Sequence, residues 1–199
     1  MKKSGGFTIV ELMIVIVVAA IGIALAVPSF SDMIERKRLG GATDAAFEHL
    51  QRAKSQALKR SKPILVDFNV NGTDWAIGFT DKMAGCDAED TAGTDLCDVD
   101  EDNDLAGTTR LVMRVLGSDF GDVTMSQAVG FANASVAPGG CTTTSNSQGC
   151  FDFLRGLART GQYDFASANY KLRLQVTMLG HINICIPAGE KTMPGYNGC

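Results

Sequence analysis

The chain has 199 residues, 45% apolar and 20% charged, which allows one folded domain plus an appendage and excludes a chain disordered throughout. Its 18 basic and 22 acidic residues give a formal charge of −4, which argues against a general nucleic-acid coat. That charge is unevenly spread. Residues 86–104 hold nine acids and no base, so the remainder sets 18 bases against 13 acids, or +5.

The N-terminus carries the first strong pattern. Lys2 and Lys3 precede residues 7–27, an apolar stretch that spans about 31 Å as a helix, enough for a bilayer core. The positive-inside rule leaves the two lysines cytoplasmic. Three readings compete. A secretory signal would be cut after Ala24-Leu25-Ala26, but the charge-free run 12–27 is longer than an ordinary signal core. A plain anchor has the right length and no use for Glu11. An acid within such a helix costs up to about 3 kcal/mol, and something must offset it.

The third reading accounts for these details together. Gly5-Gly6-Phe7-Thr8 followed by Glu11 resembles the type IV prepilin signature. The resemblance implies cleavage by prepilin peptidase after Gly6, with Phe7 becoming an N-methylated new N-terminus. It makes Glu11 the fifth mature residue, whose carboxylate neutralises the Phe7 ammonium of a neighbouring subunit. Opposite charges attract strongly in a low dielectric, and either one alone is costly to bury. Gly22 and Pro28 fall where helices of this superfamily loosen, Pro28 by removing a backbone donor.

Helical spacing continues after the apolar stretch. Leu39, Ala42, Ala46, Leu50, Ala53 and Ala57 recur every three or four residues, and Phe47 and Leu58 widen the stripe. This amphipathic half covers 29–62 and stops at Pro63. Gly40-Gly41 is its weak point, each glycine costing about 1 kcal/mol relative to alanine. Arg36, Lys37, Arg38, Arg52, Lys54, Lys59, Arg60 and Lys62 outnumber Asp44 and Glu48. They form either a polyanion track or, the preferred reading, a solvated face with the first three at lipid headgroups. His49 reads as a surface helix residue.

Beyond Pro63 the period becomes two. Strands are predicted at 64–70 and 75–80 around Asn71-Gly72, a hairpin signal. Further candidates are 110–116, 122–125, 151–154, 171–178 and 181–186, the last two joined across Leu179-Gly180. The 22 glycines suit a turn-rich antiparallel β domain. Six cysteines, an even number behind such an N-terminus, point to disulfides and an oxidising compartment. No C-x-x-C occurs, which argues against zinc ribbons and thioredoxin-like sites. Pairing by sequence neighbours gives Cys86–Cys97, Cys141–Cys150 and Cys185–Cys199, one of many possible connectivities.

Three later blocks narrow the resemblance. The helix from Ala46 to Arg60, Ala-Phe-Glu-His-Leu-Gln-Arg-Ala-Lys-Ser-Gln-Ala-Leu-Lys-Arg, is similar to that of the GspH/FimT family of minor pilins and pseudopilins. So are Trp75-Ala76-Ile77-Gly78-Phe79 and Phe151-Asp152-Phe153 with Gly156 and Gly161. The implied fold is α+β and pilin-like. A long N-terminal helix spine, membrane-spanning in its first half, packs against a C-terminal antiparallel β domain of two sheets. The organisation expected is a leader 1–6, a transmembrane and filament-core helix 7–28, an amphipathic half 29–62 and a β domain 63–199. The β domain holds two departures from the family core, the acidic insert 86–104 and a tail 185–199. Disulfide-closed C-terminal loops are common among pilins.

Chemistry beyond assembly has thin support. Asp98, Asp100, Asp102 and Asp104 alternate like the start of a calcium loop, but Asn103 stands where glycine is needed and Thr109 where the closing Glu belongs. Calcium is a weak candidate; no metal or other cofactor is expected. With two histidines and no nucleophile–base constellation, an enzyme is not expected either. Some family members bind DNA through a C-terminal arginine motif. The tail Gly189-Glu190-Lys191 has one base opposed by an acid, so no residue carries over, though Arg155, Arg159, Lys171 and Arg173 could build a patch with the helix bases.

The expected function is therefore that of a minor type IV pilin priming or capping a filament with other minor and major pilins. It would wait in the inner membrane as a single-pass protein with a periplasmic globular domain, then enter a pilus, at the cell surface, or a pseudopilus. A type II secretion pseudopilin and a pilus-associated DNA receptor for transformation are the alternatives.

Overall fold

The computed structural model describes residues 6, 8–82, 84–90, 96–100, 110–130, 147–154 and 156–199. They divide into two compact units, Met1–Lys37 and Arg38–Cys199. One helix, α1 (Ile9–Arg60), begins in the first and ends in the second. In the first unit its large apolar side chains are exposed, from Ile9 to Ile23 at 55% or more.

The expectation of a membrane-spanning first half is corrected by this structure. Among the described residues no helix is long and apolar enough to cross a membrane. The single-pass inner-membrane location rested on that span and is corrected with it.

In the second unit the six-residue stripe of α1 is buried almost completely. Leu39, Ala42, Ala46, Ala53 and Ala57 are inaccessible and Leu50 is 1% exposed. Four of the six are alanines, so strands can approach the helix closely. Leu58, placed on the same stripe by its spacing, is instead 49% exposed. The helix runs through Gly40-Gly41 without a break, and Gly40 lets the tail approach: a Cβ there would stand 3.3 Å from the Tyr196 hydroxyl.

The strands are β1 (Ile64–Asn69), β2 (Ala76–Thr80), β3 (Asp98–Asp100), β4 (Arg110–Val112), β5 (Arg114–Leu116), β6 (Thr124–Val129), β7 (Gln148–Phe151), β8 (Gly161–Ala166), β9 (Lys171–Val176) and β10 (Ile182–Cys185). One four-stranded sheet has the order β5-β2-β1-β7 and the other β10-β9-β8-β6, while β3 and β4 form a separate pair. All the ladders are antiparallel. The β1–β2 hairpin turns at Asn71-Gly72, where Gly72 takes φ +61° and the Asp74 N–H donates to the Asn71 carbonyl.

Aromatic side chains join the two larger sheets. Phe68 of β1 stacks on Tyr163 of β8 at 4.2 Å between centroids, and Trp75 meets Phe165 of β8 edge-on at 5.2 Å. The indole N–H of Trp75 is satisfied by the Val123 carbonyl at 2.9 Å, so the ring is buried without an orphan donor. One core cluster thus unites the α1 stripe with the inner faces of both sheets.

Candidate functional site

The first turn of α1 is built around two side chains. The Glu11 N–H donates to the Thr8 hydroxyl at 3.2 Å, and the Thr8 N–H donates to Glu11 Oε2 at 3.4 Å. Thr8-Ile9-Val10-Glu11 is therefore a capping box, which satisfies reciprocal backbone donors at a helix start. The Thr8 hydroxyl also reaches Oε2, at 3.5 Å, and Oε1 has no partner among the described residues. Gly6 is exposed, with nothing within 4 Å of a Cβ built on it. Phe7 lies outside the described residues. The box is legible in the sequence as T-x-x-E, Thr8 to Glu11.

The cations imagined as one polyanion patch are dispersed among separate partners. Lys171 pairs with Glu190 at 2.7 Å, and Arg173 grips Asp164 with Nε and Nη2 at 2.6 and 2.9 Å. Arg159 is 4% exposed and donates to the Gln148 carbonyl. Lys54 donates to the Gly180 carbonyl, Arg60 to Gln56, and Arg36 to Asp32. Arg155 lies outside the described residues.

His49 is 6% exposed rather than on the surface, its ring 4.7 Å from that of Phe79. Burial pushes its pKa down to about 4; the Arg52 charge acts in the same direction, and a hydrogen bond with the Met113 backbone opposes it. Asp67 moves oppositely. Burial raises its carboxyl to about 6, assisted by the charges of Asp87 and Glu89, although the Ala88 N–H at 3.4 Å stabilises the anion. His181 is exposed after the β9–β10 turn.

Of the calcium candidates, Asp98 and Asp100 lie on β3, while Asp102 and Asp104 fall outside the described residues. Asp98 is 6% exposed and meets Lys82 Nζ at 2.9 Å, so an internal cation already faces it. Among the described residues no cluster of three or more His, Cys, Asp or Glu could hold a metal.

Two disulfides are seen, Cys86–Cys97 and Cys185–Cys199, and Cys150 is also disulfide-bonded. Cys141 lies outside the described residues. The second bridge closes a tail that grips α1 within the second unit. Met193 is 7% exposed beside Gly40, and the Tyr196 hydroxyl donates to Asp44 Oδ1 at 3.1 Å. Lys191 stands 4.3 Å over the Tyr170 ring. No period or motif marked Tyr196; its only signal was an aromatic inside a cysteine-closed loop.

Comparison with known proteins places these features. Residues 1–27 match the model of the prokaryotic N-terminal methylation motif. Two fimbrial proteins of Pseudomonas aeruginosa are each 31% identical over 121 residues, covering 61% of this chain and 73% of theirs. Among solved structures, the type IV minor pilin FimU of P. aeruginosa aligns with a TM-score of 0.37 at 13% identity, over 73% of this chain and 88% of that one. The minor pseudopilin EpsH of the Vibrio cholerae type 2 secretion system aligns at 0.43 and 9%, over 78% and 99%. With a methylation motif at its start and close to a third of its aligned residues shared with fimbrial proteins across most of their length, the chain belongs to the type IV pilin-like family.

Proposed function

We propose that this chain is a filament subunit of the minor-pilin or pseudopilin kind, cut after Gly6, methylated at Phe7 and assembled with other pilins. Its role is structural and not enzymatic, in keeping with its fimbrial relatives. The observation that carries the proposal is the methylation motif over residues 1–27, coinciding with an exposed Gly6 immediately before a capped apolar helix. An apolar helix segment exposed from Ile9 to Ile23 is a surface awaiting cover. Helices of neighbouring subunits supply apolar cover of the same kind.

Glu11 has a defined part in this reading. Its Oε2 closes the capping box, and Oε1 remains to meet the ammonium of a neighbour's Phe7. The Cys86–Cys97 and Cys185–Cys199 disulfides suit a subunit folded outside the reducing cytoplasm. Mass spectrometry of the N-terminal peptide from the native host is the test. A peptide starting with methylated Phe7 is expected; one starting at Met1, or after Ala26, would sink the proposal. Deletion of the coding region, with pili and secreted enzymes assayed side by side, separates the pilin from the pseudopilin role.

A further inference from the structure

The tip of the β1–β2 hairpin places an asparagine side chain beside a glycine nitrogen, at Asn71-Gly72. A main-chain nitrogen that follows asparagine can attack the side-chain amide. Glycine permits this most readily, because no Cβ stands in the way. The surroundings of the pair favour the same reaction. Asn71 and Gly72 are both exposed. A Cβ built on Gly72 would meet nothing within 4 Å, so the ring that cyclisation forms has room. Neither the Asn71 side-chain amide nor the Gly72 N–H has a hydrogen-bond partner among the described residues. Nucleophile and electrophile are therefore adjacent, solvated and uncommitted.

The sequence holds a second Asn-Gly pair, Asn197-Gly198, under closer restraint. The Asn197 carbonyl accepts the Ile186 N–H at 2.8 Å, and the Cys199 N–H donates to the Ile186 carbonyl at 2.9 Å. Ile186 thus clasps the chain on both sides of Gly198, and the Cys185–Cys199 disulfide locks that clasp covalently. No covalent link crosses the hairpin tip. Its pair is flanked only by the bonds from the Asp74 N–H to the Asn71 carbonyl, at 3.0 Å, and from the Met125 N–H to the Gly72 carbonyl, at 3.1 Å. A hairpin tip opens locally at far lower free energy than a cross-linked ladder.

We propose that Asn71 is a self-modification site, at which the Gly72 nitrogen converts the side-chain amide to a succinimide that opens to an aspartyl or isoaspartyl residue. The Gly72 nitrogen attacks Asn71 Cγ. The N–Cγ bond forms as the Cγ–Nδ2 bond breaks, and Nδ2 leaves as ammonia with the proton that Gly72 gives up. Water then opens the ring. Opening at Cγ leaves aspartate. Opening at the main-chain carbonyl leaves isoaspartate, in which the backbone runs through Cβ and Cγ and gains a methylene. Water is the only co-reactant, and nothing is oxidised or reduced. Either product adds a negative charge at the tip, close to the exposed Asp74. The isoaspartyl product also displaces Gly72, whose carbonyl ties β6 of one sheet to the β1–β2 turn of the other. Its free α-carboxylate is the class of substrate that isoaspartyl carboxyl methyltransferases esterify from a sulfonium methyl donor. The site is independent of the assembly reading.

Timed incubation of the full, disulfide-bonded chain in mild detergent, followed by digestion in acid and peptide mapping with electron-transfer fragmentation, tests it. Position 71 should exchange NH for O, and enzymatic carboxyl methylation should register the isoaspartyl fraction. The rate should rise with pH, because the attacking nitrogen is the deprotonated one. It should exceed the rate at Asn197 at least about fivefold, and Gly72→Ala should slow it at least about tenfold. Asn71→Ser, which has no side-chain amide, should leave the methylation signal of this peptide at background. In the isoaspartyl fraction the Met125 amide should exchange at least about fivefold faster than in unmodified chain. Circular dichroism and Trp75 fluorescence establish that each variant is folded. A folded chain in which Asn71 keeps its amide, an Asn197 that reacts as fast, a Gly72→Ala chain that reacts at the wild-type rate, or an unchanged Met125 amide in the isoaspartyl fraction would each overturn the proposal.

Discussion

His49 and Asp67 make opposed contributions to stability across one pH window. The folded state keeps His49 neutral down to about pH 4, whereas an unfolded histidine protonates near 6.5. Between those values the unfolded chain binds the extra proton, so stability falls as pH falls. One pKa unit corresponds to about 1.4 kcal/mol, which makes the His49 contribution about 3 kcal/mol. Asp67 keeps its proton in the fold up to about pH 6, whereas the unfolded carboxyl releases it near 3.8. Here the folded state binds the extra proton, and stability falls as pH rises. Its shift converts to about 3 kcal/mol, discounted to about 2 for partial solvent screening. The two largely cancel between pH 4 and 6. His49→Phe, which keeps an aromatic ring beside Phe79, should lose stability relative to wild type as pH rises from 4 to 6.5, leaving the Asp67 slope uncovered. Asp67→Asn should gain relative to wild type over pH 4 to 6. Urea unfolding followed by fluorescence of Trp75, the single tryptophan and wholly buried, measures both. Taking variant minus wild type at each pH removes titrations common to both chains. Parallel wild-type and His49→Phe profiles, or two variants tilting the same way, would refute the reasoning.

Three further outcomes follow from named contacts. Thr8→Ala removes the hydroxyl half of the capping box and should cost about 1 kcal/mol locally, seen as roughly fivefold faster amide exchange in the first turn of α1. Unchanged exchange there would count against the box. Replacing Cys185 and Cys199 together by serine should lower stability by about 3 kcal/mol, the chain-entropy value for a loop of this length, with Met193 and Tyr196 released from α1. An equal urea midpoint for that pair and wild type would contradict it. Gly78→Ala should destabilise by about 1–3 kcal/mol because its methyl would run into the Cys97 side chain, and oxidised protein should show this in its urea midpoint.

Legibility in the sequence followed the number of neighbours a segment has to satisfy. The α1 stripe packs one face against one core, so a single period from Leu39 to Ala57 was enough to find it. That same period places His49 between Ala46 and Ala53, and its imidazole was read as surface only because histidine is polar. The run 110–116 looked like one strand and is two. Met113 between them donates its N–H to the Cys97 carbonyl and accepts the Phe79 N–H, joining β3–β4 to the sheet of β1 and β2. A residue that serves two sheets has no one-dimensional signature. The strand β8 was not expected, although Tyr163 and Phe165 alternate around Asp164 with the period of a strand. Asp164 is 8% exposed and lies directly across from Arg173 on β9, so the compensating charge was nine residues away.

In the proposed reading Glu11 serves two physical purposes, and substitutions separate them. The capping box needs an acceptor oxygen, whereas the filament role needs a charge. Glu11→Gln preserves the first and abolishes the second. Glu11→Ala abolishes both. An unpaired ammonium buried among apolar helices costs about 3–5 kcal/mol, so Glu11→Gln should reduce incorporation into filaments by about two to four orders of magnitude. Its first-turn amide exchange should remain that of wild type, while Glu11→Ala should show both defects. If Glu11→Gln assembled normally and only Glu11→Ala failed, the carboxylate would be needed as a helix cap alone, and the counter-charge for Phe7 would have to come from another residue.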